Sequence, residues 1–459
     1  MKSRRHVLWS ALVMALVVGV VAGRAATLLR YDLWYDELYS VFTALGDLGQ
    51  LWQASVSDRV HPPLFYIVLW GWLKLVEPTP TLLRLLPLAG FALALGATWW
   101  AAGRIGLTSR GRGVATLAVA LNPIAFDAGA DLRGYALLAA LVAVMIGAMH
   151  PLRPEPDSEA EPEDRKLALL IAAAVAATWT HYFAWPTVVA IAVVLVLNHR
   201  RRDAALLLGI TALAFAPWLA ALLGAEGEQT AAQIGWGNTL GLHDALILPG
   251  TLLAGRTPLY VMAIAAVIGW TLLVTALKRS PSRELALLVA APPAAVVIAS
   301  LALGIAIWEP RYLIGAVPPL ALLLAIWSDS ISPLPRIAAV ALLGLSAWGA
   351  VTPADWRIPW KGITRDLAER SDGQPVYAFD GFTAIPIRYY ARMEGLRLDV
   401  PEIKQWPDAT TAPGWLLLRP AVFPNVPSAA ARLRESGRMV VDSMASGVGT
   451  NRVEAWRFR

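Results

Sequence analysis

The hydrophobic positions of this chain form long unbroken runs instead of the alternating or striped patterns of soluble proteins. A helix needs about 20 apolar residues to cross a bilayer. The longest run, 167–198, contains a polar break at Thr180, His181 and Tyr182, so it predicts two short crossings joined as a hairpin. About eleven transmembrane helices result from this pattern, at 7–29, 84–102, 114–127, 134–149, 167–198 (two crossings), 203–223, 258–277, 284–307, 312–327 and 336–351.

The basic residues orient these crossings, because cytoplasmic loops of membrane proteins are enriched in Lys and Arg. With the predicted crossings, the basic clusters share one side, which makes the N-terminus cytoplasmic: Lys2/Arg4/Arg5, Arg104/Arg110/Arg112, Arg153/Arg165/Lys166, Arg200/Arg201/Arg202, Lys278/Arg279/Arg283 and Arg336. Counting 62–76 as a crossing would break this agreement. That segment is therefore predicted to be a helix in the outer interface, within a long first outer loop at 30–83.

Residues 1–29 have the basic start and apolar stretch that a cleaved signal peptide shares with a first membrane helix. The apolar stretch is long, and Arg24 with Ala25 makes a poor cleavage site. An uncleaved first helix is the favoured reading.

Charge divides the chain into two predicted domains. Only 16% of all residues are charged, against about 25% in soluble proteins. Residues 352–459 nevertheless hold 15 of the 39 basic and 12 of the 33 acidic residues. We therefore expect a transmembrane domain at 1–351 and a small extracytoplasmic α/β domain at 352–459. The fold class is mainly α.

Local patterns refine this division. In the C-terminal domain, strands are expected at 375–380 and 415–419, and helices near 360–370 and 384–394. The Pro- and Glu-rich stretch 150–166 is predicted to be a disordered cytoplasmic loop.

Composition also excludes several kinds of chemistry. The chain has no cysteine, which excludes thiolate catalysis and Cys-ligated zinc. Its net charge of +6 belongs mostly to the cytoplasmic loops, so it sets orientation and does not indicate nucleic-acid binding. The cytoplasmic loops contain no Walker or GxGxxG motif, so a nucleotide-driven enzyme or pump is not expected.

Polar residues that a bilayer disfavours are gathered in the predicted outer segments. Five separate segments bring acids, Arg and His to this side: Asp36 and Glu37; Asp58, Arg59 and His61; Asp127, Asp131, Arg133 and Tyr135; His181 and Tyr182; Glu309, Arg311 and Tyr312. Any one of them has an ordinary structural explanation, as an interfacial residue or a hydrogen-bonded core histidine. Their joint occurrence favours a site at the outer membrane surface. A carboxylate there can act as general base on a hydroxyl, while Arg and His can hold a phosphate.

The order of these motifs resembles the GT-C glycosyltransferases, in particular the protein O-mannosyltransferases and the lipid A aminoarabinose transferases of bacteria. The resemblance rests on an acid pair in a long first outer loop, HPPL at 61–64, an acid-x-Arg-x-Tyr element at 131–135 and Arg-Tyr at 311–312. It covers residues 1–351. The family implies a polyprenyl-phosphate sugar as donor, used at the outer face of the inner membrane.

The resemblance also implies a role for each matching residue. Asp36 matches the catalytic base, and Glu37 matches the second acid, which in relatives supports the loop or a metal. Arg311 and Tyr312, with Arg133 and His61, match the donor-phosphate residues, although some relatives have Lys at the position of His61. Asp131 and Tyr135 match the supporting residues of the second outer loop. His181, Glu309 and Arg59 are candidates to line the site.

The function expected from this resemblance is inverting transfer of a sugar to a hydroxyl of a protein, lipid or glycan acceptor. The sequence requires no cofactor and leaves a divalent metal open; the other partners are membrane lipids, not nucleic acid. A transporter or flippase for a lipid-linked sugar is the main alternative, and a non-catalytic partner of a glycan assembly machine is another. A transporter, however, would place its charges at the bilayer midplane.

Overall fold

The computed structural model describes most of the chain. The described residues are 31–150, 163–224, 241–303 without 256, 279 and 280, 308–351 without 330–332, 358–459 without 380, 409, 421–427 and 447–451, and eight residues within 15–26. By its contacts the chain divides into a helical unit, Met1–Leu28 with Thr43–Thr352, and a mixed unit, Leu29–Phe42 with Pro353–Arg459. Residues 29–42, which the sequence assigned to the first domain, therefore group with the C-terminal residues.

The described chain up to residue 351 is almost entirely helical. Within the described residues of 31–224, the helices are α1 Tyr35–Ala44, α2 Leu48–Asp58, α3 Leu64–Leu73, α4 Pro80–Arg104, α5 Ser109–Ala120, α6 Pro123–Ala128, α7 Tyr135–Met149, α8 Glu163–Thr180, α9 Ala184–Leu197 and α10 Arg201–Gly224. The following helices are α11 Leu242–Ala254, α12 Leu259–Ala276, α13 Ser282–Leu303, a 3₁₀ helix at Pro310–Ala316, α14 Val317–Ser328 and α15 Pro333–Val351.

Two helices form the centre of the helical unit. Twelve of the 15 residues of α7 and ten of the 12 residues of α14 are buried. Both helices are apolar on all faces, as expected of helices that are surrounded by other helices. α7 packs against α4 and α8, and α14 packs against α5, α13 and α15.

Other helices keep large apolar side chains on the outside, as a lipid-facing surface requires. Leu213 of α10 is 76% exposed and Val267 of α12 is 68% exposed. Within the described chain, six helices are long and apolar enough to cross a membrane, at Pro80–Arg104, Arg201–Gly224, Leu259–Ala276, Ser282–Ser300, Pro310–Ser328 and Pro333–Ala350. The chain is a multi-pass membrane protein, while the predicted number of about eleven crossings stays a prediction.

The predicted break in the apolar run 167–198 is present in the structure, while the two membrane crossings stay a prediction. α8 ends at Thr180 and α9 begins at Ala184, so the break falls at His181, Tyr182 and Phe183. Pro186 lies in the first turn of α9, where a missing backbone N–H costs no helical hydrogen bond.

One prediction about the helical unit needs correction, and three helices were missed. The expected single crossing at 114–127 is divided, because Asn122 caps a new helix that has Pro123 at its first position. Within the first outer segment, 30–83, α3 matches the helix predicted at 62–76, whereas α1 and α2 were not predicted. α11 was not predicted at all. The predicted crossing at 7–29 lies mostly outside the described residues, as does the centre of the predicted loop 150–166.

The C-terminal part of the mixed unit alternates strands and helices, as its sequence predicts. It contains α16 Trp360–Arg370, β1 Val376–Ala378, α17 Gly381–Met393, β2 Gly414–Leu418, α18 Ala429–Glu435, β3 Val440–Ser446 and β4 Val453–Phe458. The sheet order is β1-β2-β4-β3, with β1 and β2 parallel and the other pairs antiparallel. Every residue of β2 is buried, which explains its unbroken apolar sequence. The expected helices and first two strands are present, whereas α18, β3 and β4 were not predicted.

Candidate active site

Four segments of the helical unit bring polar and aromatic residues into one cluster. We call it the basic–aromatic cluster: His61, Arg133, Tyr135, His181, Arg311 and Tyr312. The ring of His181 lies at its centre, with centroid distances of 5.0 Å to His61, 5.2 Å to Tyr135 and 5.9 Å to Tyr312. The Cζ of Arg311 lies 6.0 Å from the Tyr135 ring and 5.8 Å from the Tyr312 ring. Residues up to 251 positions apart in sequence thus share one site.

Each segment reaches the cluster at a break between helices. α2 ends at Asp58, and its C-cap Arg59 has a left-handed backbone (φ 58°). Pro62-Pro63 then leads into α3, which leaves His61 between two helices. His181 lies in the break between α8 and α9. Arg311 and Tyr312 lie in the 3₁₀ helix before α14, and Arg133 precedes α7. Helix breaks leave backbone groups without helical hydrogen bonds next to polar side chains. Polar sites of membrane proteins are found at such breaks.

The histidines of the cluster have hydrogen-bonding capacity that the described residues do not use. His61 is 7% exposed, and within the described part of the chain neither of its buried ring nitrogens has a hydrogen-bond partner. The Nδ1 of His181 accepts from the backbone N–H of Phe183 at 3.2 Å, which leaves Nε2 as the donor. That buried Nε2 has no partner among the described residues. Buried polar groups are normally satisfied, so these atoms point to a bound polar molecule.

Charge in the cluster comes from arginine, not from histidine. Burial, together with Arg133, His181 and Arg311, holds the pKa of His61 well below its ordinary value. Burial and the same two arginines lower the pKa of His181 to about 3. Both imidazoles are therefore neutral at pH 7 and can each donate one hydrogen bond, while the two guanidinium groups supply positive charge.

The structure adds two residues to the cluster that the sequence did not single out. Arg133 donates from Nη1 to the hydroxyl of Tyr66 at 2.9 Å. Phe183 stacks on Tyr312 with centroids 4.8 Å apart, and it fixes His181 through its backbone N–H. Their sequence positions gave a weak signal, because Tyr66 follows HPPL closely and Phe183 follows His181 by two residues.

Backbone carbonyls of three further predicted residues also make hydrogen bonds in this region. The carbonyl of Arg59 accepts from the hydroxyl of Tyr182 at 3.0 Å, which ties the end of α2 to the hairpin. The carbonyl of Glu309 accepts from the N–H of Tyr312 at 3.0 Å and begins the 3₁₀ helix. The carbonyl of Asp131 accepts from the N–H of Arg133 at 2.7 Å.

The acid pair Asp36 and Glu37 lies in the mixed unit, in the first turn of α1. Asp36 is 9% exposed and Glu37 is fully buried. The Oε2 of Glu37 accepts from the backbone N–H of Trp34 at 3.1 Å, directly before the first residue of α1. Glu37 therefore has a structural role at a helix N-terminus, where a negative charge is favourable.

Among the described residues, no group of three or more His, Asp or Glu side chains is arranged to hold a metal ion.

Comparison with known proteins identifies the fold. No protein-family model and no curated protein sequence matches the chain. The solved structure of ArnT from Cupriavidus metallidurans bound to undecaprenyl phosphate is similar over 98% of this chain and 98% of that chain, with TM-score 0.60 and 14% identity. The apo structure of the same ArnT is similar over 98% of this chain and 97% of that chain, with TM-score 0.58 and 14% identity. The likeness shows that this chain shares the fold of ArnT, which agrees with the fold predicted from the GT-C resemblance.

Proposed function

We propose that the protein is an inverting glycosyltransferase that uses a polyprenyl-phosphate sugar as donor and a hydroxyl as acceptor. The reaction takes place at the outer face of the bacterial inner membrane, with the N-terminus cytoplasmic. The basic–aromatic cluster is the observation that carries this proposal. Support also comes from the shared fold with ArnT, whose structure contains undecaprenyl phosphate.

The cluster suits the phosphate of the donor lipid. Arg133 and Arg311 supply positive charge and the forked geometry that fits phosphate oxygens. The unused N–H groups of His61 and His181 would each donate one further hydrogen bond. The surrounding rings of Tyr135, Phe183 and Tyr312 exclude water, which strengthens these interactions. A neutral sugar or a cation would use this set of donors less well.

Asp36 is the proposed base. It takes the proton from the acceptor hydroxyl while the hydroxyl oxygen attacks the anomeric carbon of the donor sugar. A new C–O bond forms as the bond from the anomeric carbon to the phosphate oxygen breaks, and configuration at that carbon inverts. Negative charge grows on the departing polyprenyl phosphate, and Arg311 and Arg133 stabilise that charge. Phosphate is already a good leaving group, so the reaction needs no acid catalyst. The identity of the sugar and of the acceptor stays open.

Donor binding tests the phosphate assignment. Purified protein is titrated with undecaprenyl phosphate as probe. Replacing Arg311 with Ala should weaken binding by about 10- to 100-fold, because a charged hydrogen bond is lost. Arg311→Lys should lie between wild type and Ala, since lysine keeps the charge but not the fork.

The matched control is Arg202→Ala, which removes an exposed arginine from the first turn of α10. Its affinity should equal that of the wild type. Unchanged affinity in Arg311→Ala would place the donor phosphate elsewhere. Loss of binding in Arg202→Ala would mean that the lipid responds only to overall charge.

A further inference from the structure

The segment that carries the acid pair is held by residues more than 300 positions later in the chain. The backbone N–H of Leu33 donates to the hydroxyl of Tyr390 at 2.6 Å, across 357 positions. The Oδ2 of Asp32 accepts from the backbone N–H of Lys361 at 2.7 Å, across 329 positions. Both contacts lie inside the mixed unit. They fix the backbone within four residues of Asp36.

Asp32 also completes the N-terminus of α16. Pro359 precedes this helix and provides no side-chain cap. The carboxylate of Asp32 takes that role by accepting from Lys361 in the first turn, where a negative charge is favourable. The contact therefore stabilises both partners, α16 and the segment at 31–42.

An aromatic contact also holds the segment at 31–42 against α17. The ring of Tyr35 stacks on Phe382 of α17 with centroids 5.1 Å apart and planes 25° apart. Phe382 is held in turn by Trp360, with centroids 6.0 Å apart, and by the guanidinium of Arg419, 3.4 Å from its centre. Stacked aromatic and cation–π contacts fix both distance and ring orientation.

These contacts belong to the core of the unit. Leu33, Leu38 and Trp360 are fully buried, and Tyr390 is 1% exposed. A buried N–H that loses its acceptor costs free energy. The hydroxyl of Tyr390 therefore favours the backbone position in which Leu33 can donate to it.

We propose that the C-terminal part of the mixed unit is a positioning scaffold for Asp36, with Tyr390 and Phe382 as its positioning residues. This inference rests on the proposed function, in which Asp36 is the base. Displacing a catalytic group by about 1 Å can cost about 100-fold in rate, even when the substituted residue is far from the chemistry. Tyr390 and Phe382 therefore act on the reaction through the segment at 31–42.

The experiment uses full-length Tyr390→Phe and Phe382→Leu and measures hydrogen exchange and kinetics on the same samples. Tyr390→Phe removes only the hydroxyl that accepts from Leu33. Exchange in peptides covering 31–38 should be at least about fivefold faster, because the hydrogen bond is lost, while peptides covering 414–418 keep the wild-type rate. Transfer should show kcat lowered at least about tenfold with the donor KM unchanged.

Two further variants separate positioning from general stability. Tyr377→Phe makes the same chemical change in β1, where the ring packs against Phe458, and should leave both readouts unchanged. Phe382→Tyr keeps the stacking ring and should restore the kcat that Phe382→Leu loses.

The exchange measurement distinguishes failure of this inference from failure of the proposed function, because it needs no activity. Unchanged exchange at 31–38 in Tyr390→Phe overturns the scaffold. Faster exchange with wild-type kcat overturns the positioning role, although the anchoring contacts would stand. A donor KM that rises together with a fall in kcat also overturns it, since it indicates general loosening. If the wild type transfers no sugar, the proposed function fails. The exchange result would still test whether the scaffold holds the segment at 31–42.

Discussion

Two neutral histidines in a cluster with two arginines are the central feature at the scale of single residues. A histidine that binds phosphate as a cation would lose affinity as the pH rises through its pKa. In this protein, burial and the neighbouring guanidinium groups hold the pKa of His61 below its usual range. In the proposed site the histidines would therefore donate as neutral groups, and phosphate binding through them should not depend on their protonation near pH 7.

The lowered pKa of His181, about 3, predicts acid sensitivity of the fold. The unfolded chain binds a proton at this side chain below about pH 6.5, whereas the folded chain does not until about pH 3. Above about pH 6.5 the titration of His181 therefore does not lower the free energy of unfolding. Below about pH 6.5 that free energy falls, by up to about 1.4 kcal/mol per pH unit.

The measurement is the melting temperature between pH 7.5 and 5. The decline should be shallower in His181→Asn, which keeps an acceptor for the Phe183 N–H but does not titrate. His243→Asn alters an exposed histidine and should follow the wild type. A His181→Asn curve that parallels the wild type would mean that folding does not lower the pKa of His181.

At the scale of elements, α15 packs tightly against the end of α11. A Cβ on Gly349 would lie 2.5 Å from the carbonyl oxygen of Ala254, a distance that requires the two helices to separate. Gly349→Ala should therefore lower the free energy of unfolding by about 1–3 kcal/mol, measured as a lower melting temperature.

Gly344 of the same helix provides the control. A Cβ there meets no atom of the described chain within 4 Å. Gly344→Ala should leave stability unchanged or raise it by up to about 1 kcal/mol, because alanine favours the helix. Equal destabilisation by both substitutions would contradict the close approach of α15 and α11.

Particular elements explain what the sequence could and could not predict. The long apolar runs predicted most helices, and the polar break at Thr180–Tyr182 predicted the hairpin between α8 and α9. α11 escaped prediction because it has only 13 residues, with Asp244 near its start and Pro249 inside it. The division of α5 from α6 was readable in Asn122-Pro123, a common helix start, but the apolar run concealed it.

The sequence also singled out only some of the residues of the candidate site. Arg133, Tyr135, His181, Arg311 and Tyr312 stood out because charges and histidine are costly near a bilayer. Tyr66 and Phe183 did not stand out, since an aromatic residue beside a membrane segment is ordinary. Tyr390 was equally unremarkable, because its role depends on a contact 357 positions away.

At the scale of the whole molecule, the distribution of basic residues predicts orientation. The absence of cysteine from the chain makes this directly testable, because an introduced cysteine is the only thiol. Ser443→Cys, exposed in β3, should react with an impermeant maleimide added to intact spheroplasts.

Ser158→Cys, in the acidic stretch 150–166, should react only after the membrane is opened. Labelling of Ser158→Cys but not of Ser443→Cys from outside would reverse the topology and move the basic clusters to the outer face. Labelling of both from outside would contradict the crossings assigned between them.

The most direct test of the central claim compares donor binding with sugar transfer in Asp36→Asn, using a radiolabelled polyprenyl-phosphate sugar and purified protein. A positioned general base contributes about 100- to 10,000-fold to rate. We predict a loss of transfer of that size, donor affinity within twofold of the wild type, and wild-type transfer in the control Asp366→Asn, an exposed acid of α16. Transfer by Asp36→Asn at the wild-type rate would contradict the account.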